Sequence, residues 1–94
     1  MKKRNSIVTD DWEHCFICQS QRNLQEHHCF GAGNRKLSTK YGLTIPLCID
    51  CHTGNKGVHN NYQLKLYVMR VAQRKFEDKY GHEEFMKVIG RNYD

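Results

Sequence analysis

Residues 24–61 read LQEHHCFGAGNRKLSTKYGLTIPLCIDCHTGNKGVHNN, and Cys15-Phe16-Ile17-Cys18 stands shortly before them. The stretch ends its apolar run in a second pair of the same kind, Cys48-Ile49-Asp50-Cys51. Two cysteines three apart on a knuckle turn can both point at one ion. Two such knuckles close a tetrahedral thiolate site, the coordination that zinc favours. Metal binding then becomes folding free energy, on the order of 10 kcal/mol in peptide systems. A redox role fits less well, because the pairs are symmetric and no thioredoxin-like βαβ pattern surrounds them. The fifth cysteine, Cys29, lies in a strand-like stretch and reads as an ordinary buried thiol.

The rest of the chain explains why such a staple is needed. Its 94 residues make one domain, with 38% apolar and 27% charged residues. So small a core is marginal without help. An odd count of five cysteines excludes complete internal disulfide pairing and favours metal ligation in a reducing compartment. The longest run without a charged residue, Tyr41 to Ile49, is too short to cross a bilayer. The opening MKKRNSIVTD lacks the apolar region of a signal peptide, so a cytoplasmic location is expected. Lys plus Arg is 15 and Asp plus Glu 10, a formal charge of +5. A basic surface on a small domain points to a polyanion, most often nucleic acid.

Working outward, residues 1–11 have no periodic pattern and read as a loose basic arm. Residues 12–61 hold the knuckles and the core between them, and 62–94 the C-terminal helices. Leu24 to Phe30 suits a short strand, with Leu24, Glu26, His28 and Phe30 on one face and Gln25, His27 and Cys29 on the other. Gly31 to Asn34 is a turn, Arg35 to Lys40 a polar basic segment, and Tyr41 to Leu47 a second apolar stretch. From Tyr62 to about Tyr80 the pattern is helical, with Leu64, Val68, Val71, Ala72, Phe76 and Tyr80 on one face. Asn60 or Asn61 suits its start and Gly81 its end. Glu83 to Ile89 predicts a last short helix with Phe85, Val88 and Ile89 inward.

Four of the six histidines, His27, His28, His52 and His59, lie where the knuckles would gather them. A closed four-cysteine site has no use for them. Adjacent residues on a strand face opposite ways, so His27 and His28 are not equivalent ligands of one ion. One can face a metal while the other faces a water. Neutral imidazole is both a metal ligand and a base near neutral pH. His52 and His59 can complete an open site with room for phosphate and water. His14 and His82 read as surface residues.

From Cys15 to Asn61, the C-x-x-C pair, the HH doublet before an apolar pair, and the YGL-x-apolar-PLC-x-x-CH segment together resemble the HNH endonucleases, including small bacteriophage members. The resemblance implies an α+β domain of ββα-metal, treble-clef-like fold, zinc-stabilised, with one catalytic divalent ion. It implies hydrolysis of DNA phosphodiester bonds to a 5′-phosphate and a 3′-hydroxyl. His28, second in the doublet, takes the place of the general base that activates water. His27 and His52 take the places of metal ligands, with His59 as a candidate third. The metal, Mg2+, Mn2+, Ni2+ or Zn2+, stabilises the charge on the phosphorane and on the leaving 3′ oxygen. The chain departs from the pattern at its middle letter: no Asn stands at Tyr41-Gly42-Leu43, and Asn34 or Asn55 is the candidate substitute.

Arg35, Lys36, Lys40 and Lys56 are near the site in sequence and are candidates to hold DNA phosphates. Each is equally accounted for as part of a solvated basic face, as are Lys65, Arg70, Arg74, Lys75 and Lys79 on the long helix. The expected partner is DNA, with no membrane or small-molecule substrate. A homodimer or a phage protein partner is compatible with the sequence. The alternative is a non-catalytic zinc treble clef that binds nucleic acid or protein, and only the surplus histidines separate the two.

Overall fold

In the computed structural model, residues 5–94 are described. Two five-residue strands, β1 (Leu24–His28) and β2 (Thr44–Cys48), pair antiparallel, with Leu24 opposite Cys48 and His28 opposite Thr44. Between them run a 3-10 turn (Ala32–Asn34) and helix α1 (Arg35–Tyr41). Three further helices follow, α2 (Ile49–His52), α3 (Tyr62–Tyr80) and α4 (His82–Val88). The chain is therefore α+β. Among the described residues no helix is long and apolar enough to cross a membrane.

Helix α1 occupies the segment that sequence marks only as polar and basic. Its apolar face is only Leu37 and Tyr41, the latter packed on Phe76 at 5.4 Å, and it is anchored further by a fully buried hydroxyl. Ser38 Oγ donates to the Phe30 carbonyl at 2.7 Å and accepts from the Phe30 amide at 3.1 Å. Gly42 then ends the helix in the left-handed region at φ 70°, returning its N–H to Ser38 and Thr39 carbonyls. Any Cβ there would also lie 2.9 Å from the Asn5 carbonyl oxygen, so the position demands glycine twice over. Tyr41 thus closes a helix rather than opening the second strand.

Strand β2 is buried along its whole length. Leu43, Ile45 and Leu47 are fully enclosed in a core shared with Phe30, Val58, Val68, Phe76 and Phe85. The edge of β2 away from β1 is covered by the N-terminal segment. Ile7 donates to the Gly42 carbonyl, Ser6 Oγ to Thr44 and Phe16 to Pro46, at 2.7–2.9 Å. Val8 and Trp12 are buried with them. Residues 5–11 are therefore a fixed part of the fold, not a loose arm; residues 1–4 lie outside the described residues. Covering this edge also removes a free row of backbone groups that would invite pairing with another chain.

Helix α3 spans the expected residues, with Asn61 as its cap: the side chain accepts from the Gln63 and Leu64 amides. Its buried face runs through Val68, Met69, Ala72, Gln73 and Phe76. Tyr80 lies at the margin, 41% exposed, because the chain reverses at Gly81. Helix α4 begins one residue earlier than expected, at His82, and buries Phe85 against Phe30 and Phe76 at ring distances of 5.5 Å.

Ser38→Ala should leave the Phe30 amide and carbonyl buried without partners, costing about 1–3 kcal/mol. Melting temperature is expected to fall by roughly 5–15 °C for a domain of this size, while Lys36→Ala on the exposed side of the same helix leaves it unchanged. Equal melting curves for Ser38→Ala and the parent would show that α1 is held by something else.

Candidate metal centres

Cys15, Cys18, Cys48 and Cys51 bring their sulfurs within 4.8 Å of one another. The Cys18 and Cys48 sulfurs are 3.5 Å apart, far beyond a disulfide bond and close to the ~3.8 Å edge of a zinc tetrathiolate with ~2.3 Å bonds. The knuckle carrying Cys15 and Cys18 is set by local backbone bonds. Gln19 donates to the Cys15 carbonyl at 3.0 Å, and Cys15 donates to Ser20 at 2.7 Å. Phe16 then docks the knuckle on Pro46, two residues before Cys48.

Burial raises the Cys15 thiol, yet hydrogen bonds from the backbone amides of Cys18, Cys48 and Ile17 outweigh it and bring the pKa to about 7. Burial and the neighbouring thiols push Cys51 upward. Four thiols that cannot all ionise together unaided are a donor set that suits a divalent soft ion, and zinc fits it. Cys29 lies apart, fully buried, with its thiol pushed up by desolvation.

A second cluster begins at the next residue of α2, since His52 follows Cys51. His27, His52 and His59 place one ring nitrogen each within 4.8 Å of the others. His59 Nε2 is 3.0 Å from His52 Nε2. The ring of His27 stands edge-on to both, at 5.2 and 5.5 Å. The seven-residue gap between His52 and His59 is closed by a tight loop. Val58 donates to the Cys51 carbonyl at 2.8 Å and His59 to His52 at 3.3 Å. The loop lies so close to α2 that a Cβ on Gly54 would sit 2.5 Å from the Asp50 carbonyl oxygen, and one on Gly57 2.8 Å. The Asn60 side chain ties the turn further by donating to the Thr53 and Gly54 carbonyls.

The tautomer of His52 follows from its neighbour. Gln25 Oε1 lies 2.7 Å from His52 Nδ1. An amide oxygen can only accept, so Nδ1 carries the proton and Nε2 presents its lone pair to His59. Gln25 is a supporting residue that sequence reading missed. Its signal was its place on the same strand face as His27. His27 itself is 7% exposed, and burial first, then the nearby His52 and His59, push its pKa down to about 3. Burial and His59 likewise lower His52. Both are therefore neutral imidazoles at neutral pH, the form that binds metal. One ring nitrogen each from His27, His52 and His59 can hold one divalent transition metal and leave coordination positions open.

His28 ends β1 and lines the same cavity of about 500 Å³, as do His27, His52 and His59. Its Nε2 lies 3.0 Å from Thr39 Oγ1, which in turn donates to the Arg35 carbonyl at 3.3 Å. Thr39 is thus the residue that holds His28. Asn34 lines the cavity without bonding His28, and Asn55 does not reach it. Of the basic candidates, Arg35 lines the cavity, whereas Lys36, Lys40 and Lys56 do not. Lys40 instead lies over the Tyr41 ring. Lys65, from the first turn of α3, is the second cation at the cavity. His14 pairs with Asp11, and His82 with Glu77.

No family model matches the chain, and no curated protein or solved structure shows significant similarity to it.

One zinc per chain is expected at the four cysteines. Cys48→Ser should lose it and unfold or aggregate, while Cys29→Ala should keep both zinc and fold; elemental analysis with thermal melts decides. The histidines give a separate pH signature. Unfolded His27 takes up a proton below its ordinary value of 6.5, while folded His27 does so only near 3. Its contribution is therefore full above 6.5 and is lost as pH falls toward 3. In denaturant melts, His27→Asn should lose stability less steeply than the parent between pH 6.5 and 5, and matching slopes would contradict a neutral buried His27.

Proposed function

We propose that the protein is a metal-dependent endonuclease of the HNH kind acting on DNA. The observation that carries the reading is the convergence of His27, His52 and His59 beside a fourth histidine, His28, in one cavity. In this reading β1, β2 and α2 form the ββα-metal unit, and the four-cysteine site is its structural zinc. The formal charge of +5 suits a polyanionic substrate.

His27, His52 and His59 would hold the catalytic divalent ion. When bound, that ion supplies positive charge to the scissile phosphate and the departing 3′ oxygen. The chain's own groups supply the proton chemistry. Thr39 has a single hydroxyl proton, and it goes to the Arg35 carbonyl. Its oxygen therefore accepts from His28, which fixes the proton on Nε2 and leaves the lone pair on Nδ1. His28 Nδ1 is then the base that takes a proton from the attacking water. Arg35 and Lys65 offset the charge of the neighbouring phosphates. In this role Thr39 replaces the middle asparagine that the sequence lacks.

Supercoiled plasmid should be nicked when Mg2+, Mn2+ or Ni2+ is supplied, and EDTA should stop it. His28→Ala should keep zinc, fold and DNA binding while losing about 10²–10⁴ in cleavage rate. His27→Ala and His52→Ala should instead recover part of their activity at high metal concentration. Thr39→Val should slow cleavage, and Thr39→Ser should restore it. Full nicking by His28→Ala overturns the assignment. Absence of nicking with every metal favours a zinc module that binds without cutting.

A further inference from the structure

The segment after α4 is built into the cavity wall. Gln73 is 1% exposed on the otherwise apolar face of α3. A buried amide is costly unless satisfied, and this one is spent on the segment that follows α4. Its Nε2 donates to Asn92 Oδ1 at 2.7 Å and to Glu77 at 3.0 Å, and its Oε1 accepts from the Tyr93 amide at 2.8 Å. Arg70 donates to the Tyr93 carbonyl at 3.0 Å. Arg74 holds the Asp94 carboxylate with two bonds of 2.9 Å. Arg74 thus holds the side chain of Asp94, and Arg70 and Gln73 fix the backbone of the residue before it from both sides.

That residue is Tyr93. Its ring packs against Phe30 at 5.6 Å and is only partly covered, with the head of the exposed Arg91 side chain over it at 5.3 Å, which a base would have to displace or share. It lines the cavity that also holds His27, His28, His52 and His59. The cavity is therefore lined by imidazoles with the two cations Arg35 and Lys65 and one carboxylate, Glu26, and by the apolar surfaces of Tyr93, Phe30 and Met69. Its volume of about 500 Å³ lies within the usual range for pockets that enclose a small ligand. Imidazoles and cations suit a phosphodiester. A rigidly held aromatic beside them suits the planar base attached to it, since every base has a π-face.

We propose that Tyr93 is a stacking platform for the nucleobase next to the scissile phosphate, so that the preferred substrate is a strand whose base is free of its neighbours. This rests on the phosphodiesterase reading of the histidine cavity. In an intact duplex both faces of each base are covered by adjacent pairs. A base reaches a protein aromatic only from a single strand or after leaving the stack. The clamp by Gln73, Arg70 and Arg74 keeps the ring in place before substrate arrives, so its ordering does not weigh against binding.

The test uses two oligomers of equal length and charge, one of thymidine nucleotides and one of abasic tetrahydrofuran units. Binding is read by anisotropy and cleavage by product release, both with Mn2+. The parent should bind and cleave the thymidine strand about ten- to a hundredfold better than the abasic one, as expected for loss of a base–aromatic stack. Tyr93→Leu keeps bulk against Phe30 but has no π-face, and it should erase that difference while leaving zinc content and abasic binding as in the parent. Tyr93→Phe should restore the difference. A base preference that persists in Tyr93→Leu overturns the proposal and leaves the nuclease reading intact, as does a parent that cleaves both strands equally. Base-dependent binding that Tyr93→Leu abolishes, with no cleavage by the parent, upholds the platform and overturns the nuclease reading. A parent that neither cleaves nor distinguishes the strands overturns both.

Discussion

The four sulfurs of Cys15, Cys18, Cys48 and Cys51 stand at the point where every other element takes its bearings. They join the knuckle before β1 to the turn after β2, and so fix the one end of the sheet where Leu24 lies opposite Cys48. Cys51 and His52 are neighbours on the one-turn helix α2, and the Val58 amide bonds back to Cys51. The histidine cluster therefore hangs from the same few atoms as the cysteine cluster. A core of this size, with a polar serine and a glutamine among its buried residues, has little stability to spare for holding α2 by packing alone.

What the sequence made legible were features with short covalent spacing or strong periodicity. The C-x-x-C pairs, the strand ending in His28, and helix α3 with its Asn61 cap all follow from residues a few positions apart. The grouping of His27, His52 and His59 was also visible as a surplus, although its geometry depends on Gly54 and Gly57 folding a loop onto the Asp50 carbonyl. That approach is a matter of missing side-chain volume, which spacing alone does not reveal.

Other elements were hidden because polar or backbone groups hold them. Helix α1 has only Leu37 and Tyr41 as an apolar face, and its buried polar anchor is the hydroxyl of Ser38. Residues 5–11 carry no pattern, since they are held by one backbone bond from Ile7 to Gly42, one serine hydroxyl on Thr44 and the single buried side chain of Val8. Proximity in sequence did not select the cations of the cavity: Lys36, Lys40 and Lys56 are not among its lining residues, while Lys65, distant along the chain, comes to it on α3. Gln73 interrupts an apolar face for a reason that appears only when Asn92 and Tyr93 return to meet it.

The attachment of both clusters to α2 also couples them. The two cysteine pairs are separated by a loop of residues 19–47, so an ion that holds the four sulfurs together must offset the entropic cost of closing it. His52 follows Cys51 directly on α2, and its imidazole meets Gln25 on β1. A change that loosens the thiolates therefore also loosens the direction of the imidazoles.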